Sequence, residues 1–483
     1  MSRINSNVPS IIAQRHLGNS QQSLRLSLER LSSGLKINRG ADNPAGLIVS
    51  ERLRSEIAAA NQAVRNNERA INVIATTEGA LNEVAHLLTD IKALVVEAAN
   101  SGAFSPEEIA ANQLQIDATI DSITRIANTT QFAGRRLLNG ELDYITSGVV
   151  STQLADVNVL GAKFGSSAFI PVTVDVSLSA QQAQLHYAPA NVGATPVAVK
   201  VAGPEGIVTL NFPASATRND IVTAINRQTD STGVTATLLG VGGASGVAIR
   251  SIDYGSNAFV SVDEINSTGL FPVTNRLGVV DNRTEGRDAS ATINGVQTTA
   301  DGLKIAVSDP FLRVEMTLDA SYGGGATGLG SSSFAITGGG ALFQLGPQVN
   351  TNLQENIGVT NLQANELGNA LVGYLSELKT GQARALTTEK FKEASDIVDE
   401  VITQVAVLRG RLGAFERDTL QPNISQLQIT SENLTASQAV IRDTDFAVET
   451  SELTRAQILV QAGNSILAIA NAQSQNVLSR LGG

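Results

Sequence analysis

The chain of 483 residues contains no cysteine and no tryptophan, and aromatic residues make up only 4% of it. Without cysteine, neither a disulfide framework nor a thiolate metal site is possible. The hydrophobic fraction of 42% is therefore mostly Ala, Leu, Ile and Val, which suit helical seams and plain β-sheets better than aromatic-lined ligand pockets. The length is sufficient for three or four domains of about 150 residues each.

Positive charge and long apolar runs are also scarce. Lysine and arginine number 34 against 45 acidic residues, so the net charge is −11, which argues against nucleic acid as the main partner. No run approaches the roughly 20 apolar residues that span a bilayer. Residues 1–9 contain no apolar core of a secretory signal peptide. We therefore expect no membrane anchor, and an exported chain would need a route without a cleaved signal.

Patterns that indicate catalysis or metal binding are missing as well. The three histidines, His16, His86 and His186, are far apart in the sequence. None of them forms the zinc-protease motif, which places two histidines four residues apart around a glutamate. No phosphate-binding loop with Lys-Ser or Lys-Thr is present. The sequence therefore predicts no enzyme activity, no metal and no cofactor.

Heptad spacing of apolar residues dominates residues 17–128. Asn43 and Pro44 form an N-cap and a first helical position, and residues 105–108 form a capping box around a proline, so we expect three helices. The leucines of the first helix follow gaps of 7, 4, 3 and 4: Leu17, Leu24, Leu28, Leu31 and Leu35. The seam of the second helix includes Ile57, Val64, Ile71 and Leu88.

Heptads return in the last part of the chain, from Phe391 onward. We expect Pro422 to kink or break the helix that contains it. The seam before this proline includes Val398, Val405 and Leu412. The seam of the last helix includes Leu453, Val460, Leu467 and Leu478. The stretch 465–472 is apolar nearly all round, which favours a helix that is covered on several sides.

The centre of the chain, from about 142 to 350, is richer in Gly, Pro, Ser, Thr and Val. Alternating runs at 172–176 and 197–201 predict strands, and a helical insert is expected at 219–228. The glycine-rich stretch 322–340 predicts an exposed loop. The fold class is therefore multidomain: an all-α coiled-coil core built from both termini, with a β-rich (α+β) central outer region.

The two terminal helices are marginal in water by themselves, so we expect them to pair with each other. The first helix is basic and the last helix opens with acidic residues, which would fix the orientation of the pair. The pair would still expose apolar surface, and neighbouring copies packed head to tail without closing a ring would form a filament. Periodicity alone leaves open an ordinary intramolecular bundle that carries a β-domain.

Motifs at both ends of the chain resemble bacterial flagellin. Residues 31–38, LSSGLKIN, and 41–46, ADNPAG, are similar to the family signature LSSGLRIN…DDPAG, and residues 130–140, TQFAGRRLLNG, continue the match. The C-terminal motifs that look like flagellin are at 412–415, 432–436, 441–447, 455–463 and 475–478. The resemblance covers roughly 1–140 and 365–483.

This resemblance implies a structural subunit of the flagellar filament that serves swimming motility and has no catalytic role. Flagellins are exported by the flagellar type III system and are extracellular. The implied partners are other copies of the chain, an export chaperone at the C-terminal helices, the filament cap and the hook-associated junction proteins, with no nucleic acid and no membrane. The implied regions are an N-terminal inner-core helix (1–43), N-terminal outer-core helices (44–140), a β-rich variable outer region (141–350), a C-terminal outer-core helix (351–442) and a C-terminal inner-core helix (443–483).

The resemblance also implies roles for the heptad seams. In flagellins, the outermost helices form an inner tube, the next helices form an outer wall, and the central region projects outward. The expected subunit-interface core is Leu17, Leu24, Leu28, Leu31, Leu35, Leu453, Val460, Leu467 and Leu478. The expected packing of the outer-core helices involves Ile57, Val64, Ile71, Leu88, Val398, Val405 and Leu412.

The central region has a weaker match of its own. Residues 207–236 are similar to the short strand–helix–strand motif, the IN motif, of flagellin and hook-associated proteins, which we expect around 195–262. An unrelated small α+β insert would have the same pattern.

One departure from the family concerns the vertebrate Toll-like receptor for flagellin. Many flagellins that it senses carry a Gln-Arg pair and a glutamate three residues beyond the arginine. Thr89, Asp90 and Ala93 occupy these positions here. Replacing a cation by an anion in a packed contact opposes binding if the partner surface is acidic. We therefore expect weak or absent receptor activation.

Two alternatives share parts of this pattern. A hook–filament junction protein of the same superfamily has similar helical ends, but the C-terminal match through Leu481 favours the filament subunit. A self-associating surface adhesin could use the same central strands.

Overall fold

The computed structural model of the chain describes residues 7–165, 167–239, 246–265, 269–323 and 330–481, without the side chains of 323 and 473–481. The chain divides into two units. The terminal unit consists of Met1–Arg69, Gln344–Val349 and Arg417–Gly483. The central unit consists of Ala70–Phe343 and Asn350–Glu416.

Long helices lie at both ends of the chain, as the heptads predict. In chain order the α-helices are α1 (Val8–Ser33), α2 (Pro44–Ala99), α3 (Pro106–Thr129), α4 (Arg218–Asn226), α5 (Thr229–Thr232), α6 (Ala320–Gly323), α7 (Phe391–Phe415), α8 (Gln421–Arg442) and α9 (Phe446–Leu481). Short 3-10 turns lie at Thr351–Leu353, Leu375–Leu378 and Leu386–Thr388.

Capping residues define the ends of the first three helices. The side chain of Asn7 accepts from the backbone N–H of Ser10 at the start of α1, and Gly34 ends this helix in the left-handed conformation. Asn43 Oδ1 accepts from the N–H of Gly46 at 2.9 Å at the start of α2. Ser105 and Glu108 form a reciprocal capping box on α3. The predicted three N-terminal helices are confirmed.

Polar contacts join the first part of α2 to α8 within the terminal unit. Gln438 Nε2 donates to the carbonyl of Ser50 at 3.3 Å, and Ser431 Oγ donates to Asn61 Oδ1 at 3.1 Å. Near the other end of α8, Asn423 Nδ2 donates to Asn67 Oδ1 at 3.1 Å. Across these three contacts the residue numbers increase along α2 and decrease along α8, so the two helices are antiparallel.

The α-helical pattern is interrupted just before Pro422, as expected. Residues Glu416–Leu420 form a π-helical turn between α7 and α8, and Pro422 lies in the first turn of α8. Proline has no N–H and its ring crowds the carbonyl four residues earlier, so an α-helix cannot pass through it unchanged. The wider turn changes the hydrogen-bond pattern there, and the chain continues as a helix.

The segment 351–390 is not part of the C-terminal helix, which begins at Phe391 and not at 351 as expected. Gly368, Gly373 and Gly381 have φ of 111°, 118° and 82°, in the region that a right-handed helix excludes. Buried Gln113 on α3 fixes this segment, since its Nε2 donates to the carbonyl of Leu378 at 2.8 Å and its Oε1 accepts from another backbone N–H of the segment at 2.7 Å.

The region between 131 and 374 consists mostly of antiparallel strands. In chain order they are β1 (Gln131–Phe132), β2 (Arg135–Arg136), β3 (Tyr144–Ser147), β4 (Leu154–Ala162), β5 (Ile170–Leu178), β6 (Gln182–Tyr187), β7 (Val197–Gly203), β8 (Gly206–Phe212), β9 (Val234–Leu239), β10 (Gly246–Tyr254), β11 (Phe259–Glu264), β12 (Val273–Asn275), β13 (Arg283–Glu285), β14 (Ser290–Ile293), β15 (Val296–Gln297), β16 (Thr299–Asp301), β17 (Lys304–Ser308), β18 (Leu312–Leu318), β19 (Gly330–Gly339), β20 (Ala341–Gln344), β21 (Gln354–Ile357), β22 (Gly368–Asn369) and β23 (Gly373–Tyr374).

Four larger sheets form two β-modules, each with its own core. The first β-module contains the sheets β15-β14-β5-β19-β3 and β16-β17-β18-β4 around Val174, Val314 and Ile336. The second β-module contains the sheets β12-β6-β10-β9 and β13-β11-β7-β8, and α4 packs against its core through Ile221 and Ile225. The predicted fold class, helical termini with a β-rich (α+β) centre, is confirmed, and α4 lies within two residues of the expected helical insert at 219–228.

The glycine-rich stretch 322–340 is not a loop throughout. Residues 330–339 form β19, in which Ser332, Phe334 and Ile336 alternate inward and are buried. These three residues alternate with the period of a β-strand, and the segment forms a strand although glycines lie at both of its ends. Residues 324–329 of the expected loop lie outside the described residues.

Candidate polymerisation surface

Helices α1 and α9 form an antiparallel pair within the terminal unit. Asn7 Nδ2 at the start of α1 donates to the carbonyl of Ala470 at 3.0 Å, far along α9. At the opposite end, the N–H of Thr444 donates to the carbonyl of Gly34 at 2.9 Å, and Leu35 bridges to Asp443 in antiparallel register. The first helix of the chain therefore lies along most of the last one.

A charged pair fixes the orientation of the two helices. Arg30 Nη1 lies 3.5 Å from Glu449 Oε2, and the side chains are 23% and 9% exposed. Removing one partner from a buried pair leaves an uncompensated charge, so this contact opposes any shift of one helix along the other. It agrees with the expected attraction between a basic first helix and the acidic start of the last.

The heptad residues that we predict as the subunit-interface core lie mostly within this pair. Gly463 permits the close approach, because a Cβ added to it would lie 3.3 Å from Leu17 Cδ1. Leu28 differs from the others, since it is 48% exposed. The side chain of Leu478 lies outside the described residues. The half-buried residues are Leu17, Leu24, Leu31, Leu35, Leu453, Val460 and Leu467.

A second set of apolar side chains on the same two helices is uncovered. Their exposed fractions range from 43% to 66%. On α1 they are Val8, Ile11, Ile12 and Leu28. On α9 they are Phe446, Val448, Ile458, Leu459, Ile466 and Ile469. We call these ten residues the uncovered apolar faces of the pair. Covering one such residue fully contributes about 1–2 kcal/mol to association.

Sequence reasoning missed most of the uncovered faces for a simple reason. Heptad spacing marks the seam along which a helix meets its pairing partner. Here α1 and α9 are each other's partners within one chain, so the seam does not indicate the surface that is left for other copies. The all-round apolar stretch 465–472 was the one signal of a further contact, and it contains Ile466 and Ile469.

The predicted outer-core seams lie on α2 and α7. Leu88, Val398, Val405 and Leu412 are at most 2% exposed, in the central unit. A polar contact joins the same two helices, since Lys92 Nζ lies 2.5 Å from Asp399 Oδ2 and 2.5 Å from Ser395 Oγ. The remaining residues of this set, which lie earlier on α2, are half-buried: Ile57, Val64 and Ile71.

The three positions that we expect to weaken recognition by the Toll-like receptor are accessible. Thr89, Asp90 and Ala93 are exposed on α2, whereas Lys92 between them contacts α7. Asp90 therefore places an anion on the exposed surface of α2.

The described residues offer neither a metal site nor a membrane span. No group of three or more His, Asp or Glu side chains in the described ranges is arranged to hold a metal ion. Within the same residues, no helix combines the length and the apolar character that a membrane span requires. His16 and His86 are exposed on α1 and α2, and His186 is on β6.

The chain matches three family models. The bacterial flagellin N-terminal helical region matches residues 4–143, and the C-terminal helical region matches residues 395–481. The chain belongs to the flagellin family. The flagellin hook IN motif matches residues 197–251, inside the segment 195–262 where we expect such a motif.

Known flagellins are similar over nearly their whole length. The flagellins of Salmonella muenchen and Salmonella typhimurium strain LT2 are each 29% identical to this chain, and the B-type flagellin of Pseudomonas aeruginosa strain PAO1 is 28% identical. Each alignment covers 99% of this chain and 99% of the relative. Flagellins are structural proteins of the extracellular flagellar filament, so the chain is a filament subunit.

Proposed function

We propose that the chain polymerises into the flagellar filament for swimming motility through the uncovered apolar faces of α1 and α9. The ten exposed apolar residues on these helices carry this proposal. Within one chain, the pairing of the two helices already uses the heptad seam. The uncovered faces then remain for neighbouring copies.

The proposed assembly is an open polymer and not a closed oligomer. The exposed residues belong to two helices that run antiparallel, and they occupy the outer sides of the pair. A contact between unlike faces of successive copies is head to tail, and it forms a filament when the rotation between copies does not close a ring. In this arrangement α1 and α9 form the inner tube, and the predicted seam residues of α1 other than Leu28 act within each subunit.

The remaining helices and the β-modules have separate roles in this proposal. Helices α2, α3, α7 and α8 form the outer wall, where the buried outer-core seams keep each subunit rigid. The β-modules contribute no residue to the proposed contacts between copies. We propose no catalytic role for any part of the chain.

We further propose that the chain reaches the extracellular flagellum through the flagellar type III system. An uncovered apolar α9 would bind other surfaces before assembly, which supports an export chaperone at the C-terminal helices. The filament cap and the hook-associated junction proteins are the other proposed partners. Weak recognition by the Toll-like receptor for flagellin follows from Asp90 and Ala93.

Electron microscopy and sedimentation of the purified full chain test the proposal. In precipitating salt we expect long helical filaments that sediment above a critical concentration. A junction protein would give no long filaments by itself. Protein trimmed of residues 1–40 and 443–483 should remain in the supernatant. The proposal is wrong if the full chain stays monomeric at high concentration with ordered ends, or if the trimmed chain still forms long fibres.

A further inference from the structure

One sheet of the second β-module has a polar face opposite its core. Leu185 and Tyr187 of β6 point into the core, so Gln184 and His186, which alternate with them, are on the other face. Arg250 of β10 stands directly opposite Gln184 in the antiparallel register. Residues opposite each other in this register have their side chains on the same face. Arg276 follows directly after β12, the strand on the other side of β6.

Hydrogen bonds connect three of these side chains, Arg276, Gln184 and His186. Arg276 Nη2 donates to Gln184 Oε1 at 3.1 Å. The amide nitrogen of Gln184 lies 2.7 Å from His186 Nε2 and can only donate, so this ring nitrogen is the acceptor. Gln184 thus connects an arginine with the imidazole.

Within the described ranges, the group has excess positive charge and its arginines have no ion-pair partner. The ion pairs among the described residues include neither Arg250 nor Arg276. Burial, then the charges of Arg250 and Arg276, hold the pKa of His186 below its usual range. Such an excess of positive charge is unusual in a chain whose net charge is −11.

A second observation indicates that a ligand acceptor belongs here. The Nε of Arg250 is buried and has no hydrogen-bond partner among the described residues. A buried donor without an acceptor is costly, and such groups are rare in folded proteins. Arg276, in contrast, is exposed and can reach an incoming molecule.

We propose that Arg250 and Arg276, supported by Gln184 and His186, bind a sulfate or phosphate group. Guanidinium groups present planar pairs of N–H donors that match the oxygens of such an anion. The group could be a free ion or an ester on a sulfated oligosaccharide. This site would give the second β-module a binding role that polymerisation does not require, and it does not depend on the proposed function.

NMR of the full chain with labelled histidines tests this site directly. The chain has only three histidines, and His16 and His86 lie on helices of other regions, so they are internal controls. Sodium sulfate and a heparin hexasaccharide would be titrated separately at constant ionic strength. We expect a saturable shift of the His186 resonance and none at the other two.

Matched variants separate a site from general charge attraction. R250Q and R276Q should each weaken the apparent Kd at least tenfold. K200Q, which removes the same charge from an exposed position on β7, should leave it unchanged. R276Q changes an exposed side chain, so this variant keeps the test valid if R250Q does not fold.

Each outcome decides one point. Sulfate binding as tight as hexasaccharide binding supports the site with a free ion as its ligand, and at least tenfold tighter hexasaccharide binding supports it with a sulfate ester. The site is refuted if His186 does not shift with either probe. Equal shifts of all three histidines, or equal binding by R276Q and K200Q, would also refute it.

Discussion

The uncovered apolar faces are best tested by shortening three isoleucines of α9. Ile458, Ile466 and Ile469 are 60%, 57% and 66% exposed, so each has contact area left for a neighbouring copy. Ile→Ala substitution removes the three outer carbons, and each buried carbon contributes about 0.8 kcal/mol. Scaled by the exposed fraction, the loss is about 1.4 kcal/mol for each residue, which is about tenfold in an association constant.

The triple variant I458A/I466A/I469A should therefore lose about 4 kcal/mol of contact energy for each subunit added. This corresponds to a rise of roughly a thousandfold in the critical concentration for polymerisation. Alanine has the higher helix propensity, so α9 itself should not weaken. Sedimentation of filaments against protein concentration measures the change, and circular dichroism checks the monomer.

A matched control is available in the second β-module. Ile207 on β8 is 60% exposed, so I207A makes the same chemical change at a similar exposure outside the terminal helices. We expect its critical concentration to stay within about twofold of the wild type, since the change affects no proposed contact. The proposed role of these isoleucines is wrong if the triple variant polymerises at the wild-type concentration, or if I207A is impaired as strongly as the triple variant.

Three further predictions concern other parts of the chain. G463L should separate α1 from α9 and lower the melting temperature, because even a Cβ at this position lies 3.3 Å from Leu17 Cδ1. The control is G18L on α1, where an added Cβ meets nothing within 4 Å. Equal melting temperatures of G463L and G18L would contradict the account. Burial, with a smaller effect of Glu400, raises the pKa of Asp156, so its contribution to stability is greatest at low pH and is lost as pH rises through the folded-state pKa. D156N should therefore gain stability relative to the wild type between pH 4 and 7 in urea unfolding, and a constant difference would show that the carboxyl is not perturbed. D90R/A93E should increase activation of the Toll-like receptor in reporter cells relative to the wild-type monomer, and an unchanged weak response would place the cause elsewhere.

The helical termini could be predicted because their signals are local. The capping box of Ser105 and Glu108 fixes the start of α3, and the leucine spacing from Leu17 fixes the face that α1 turns to its first partner. Neither signal requires knowledge of distant residues. The family motifs lie in these same segments, so the resemblance and the periodicity agree.

The features that sequence reasoning missed depend on contacts between distant residues. Gln113 holds the segment before Phe391 in a non-helical path from another helix, α3, more than 200 positions earlier in the sequence. A π-helical turn lets the chain pass Pro422, which spacing alone does not indicate. The uncovered residues of α9 could be separated from the seam only once the pairing with α1 was known.

The central claim is that the outer faces of α9 are covered by neighbouring copies. Because the chain has no cysteine, a single thiol introduced by Ile466→Cys reports directly on this surface. The thiol should react rapidly with a maleimide in the monomer and at least a hundredfold more slowly in assembled filaments. A thiol introduced by Ile207→Cys should react at similar rates in both states. Equal reactivity of the Ile466→Cys thiol in monomer and filament would contradict the account.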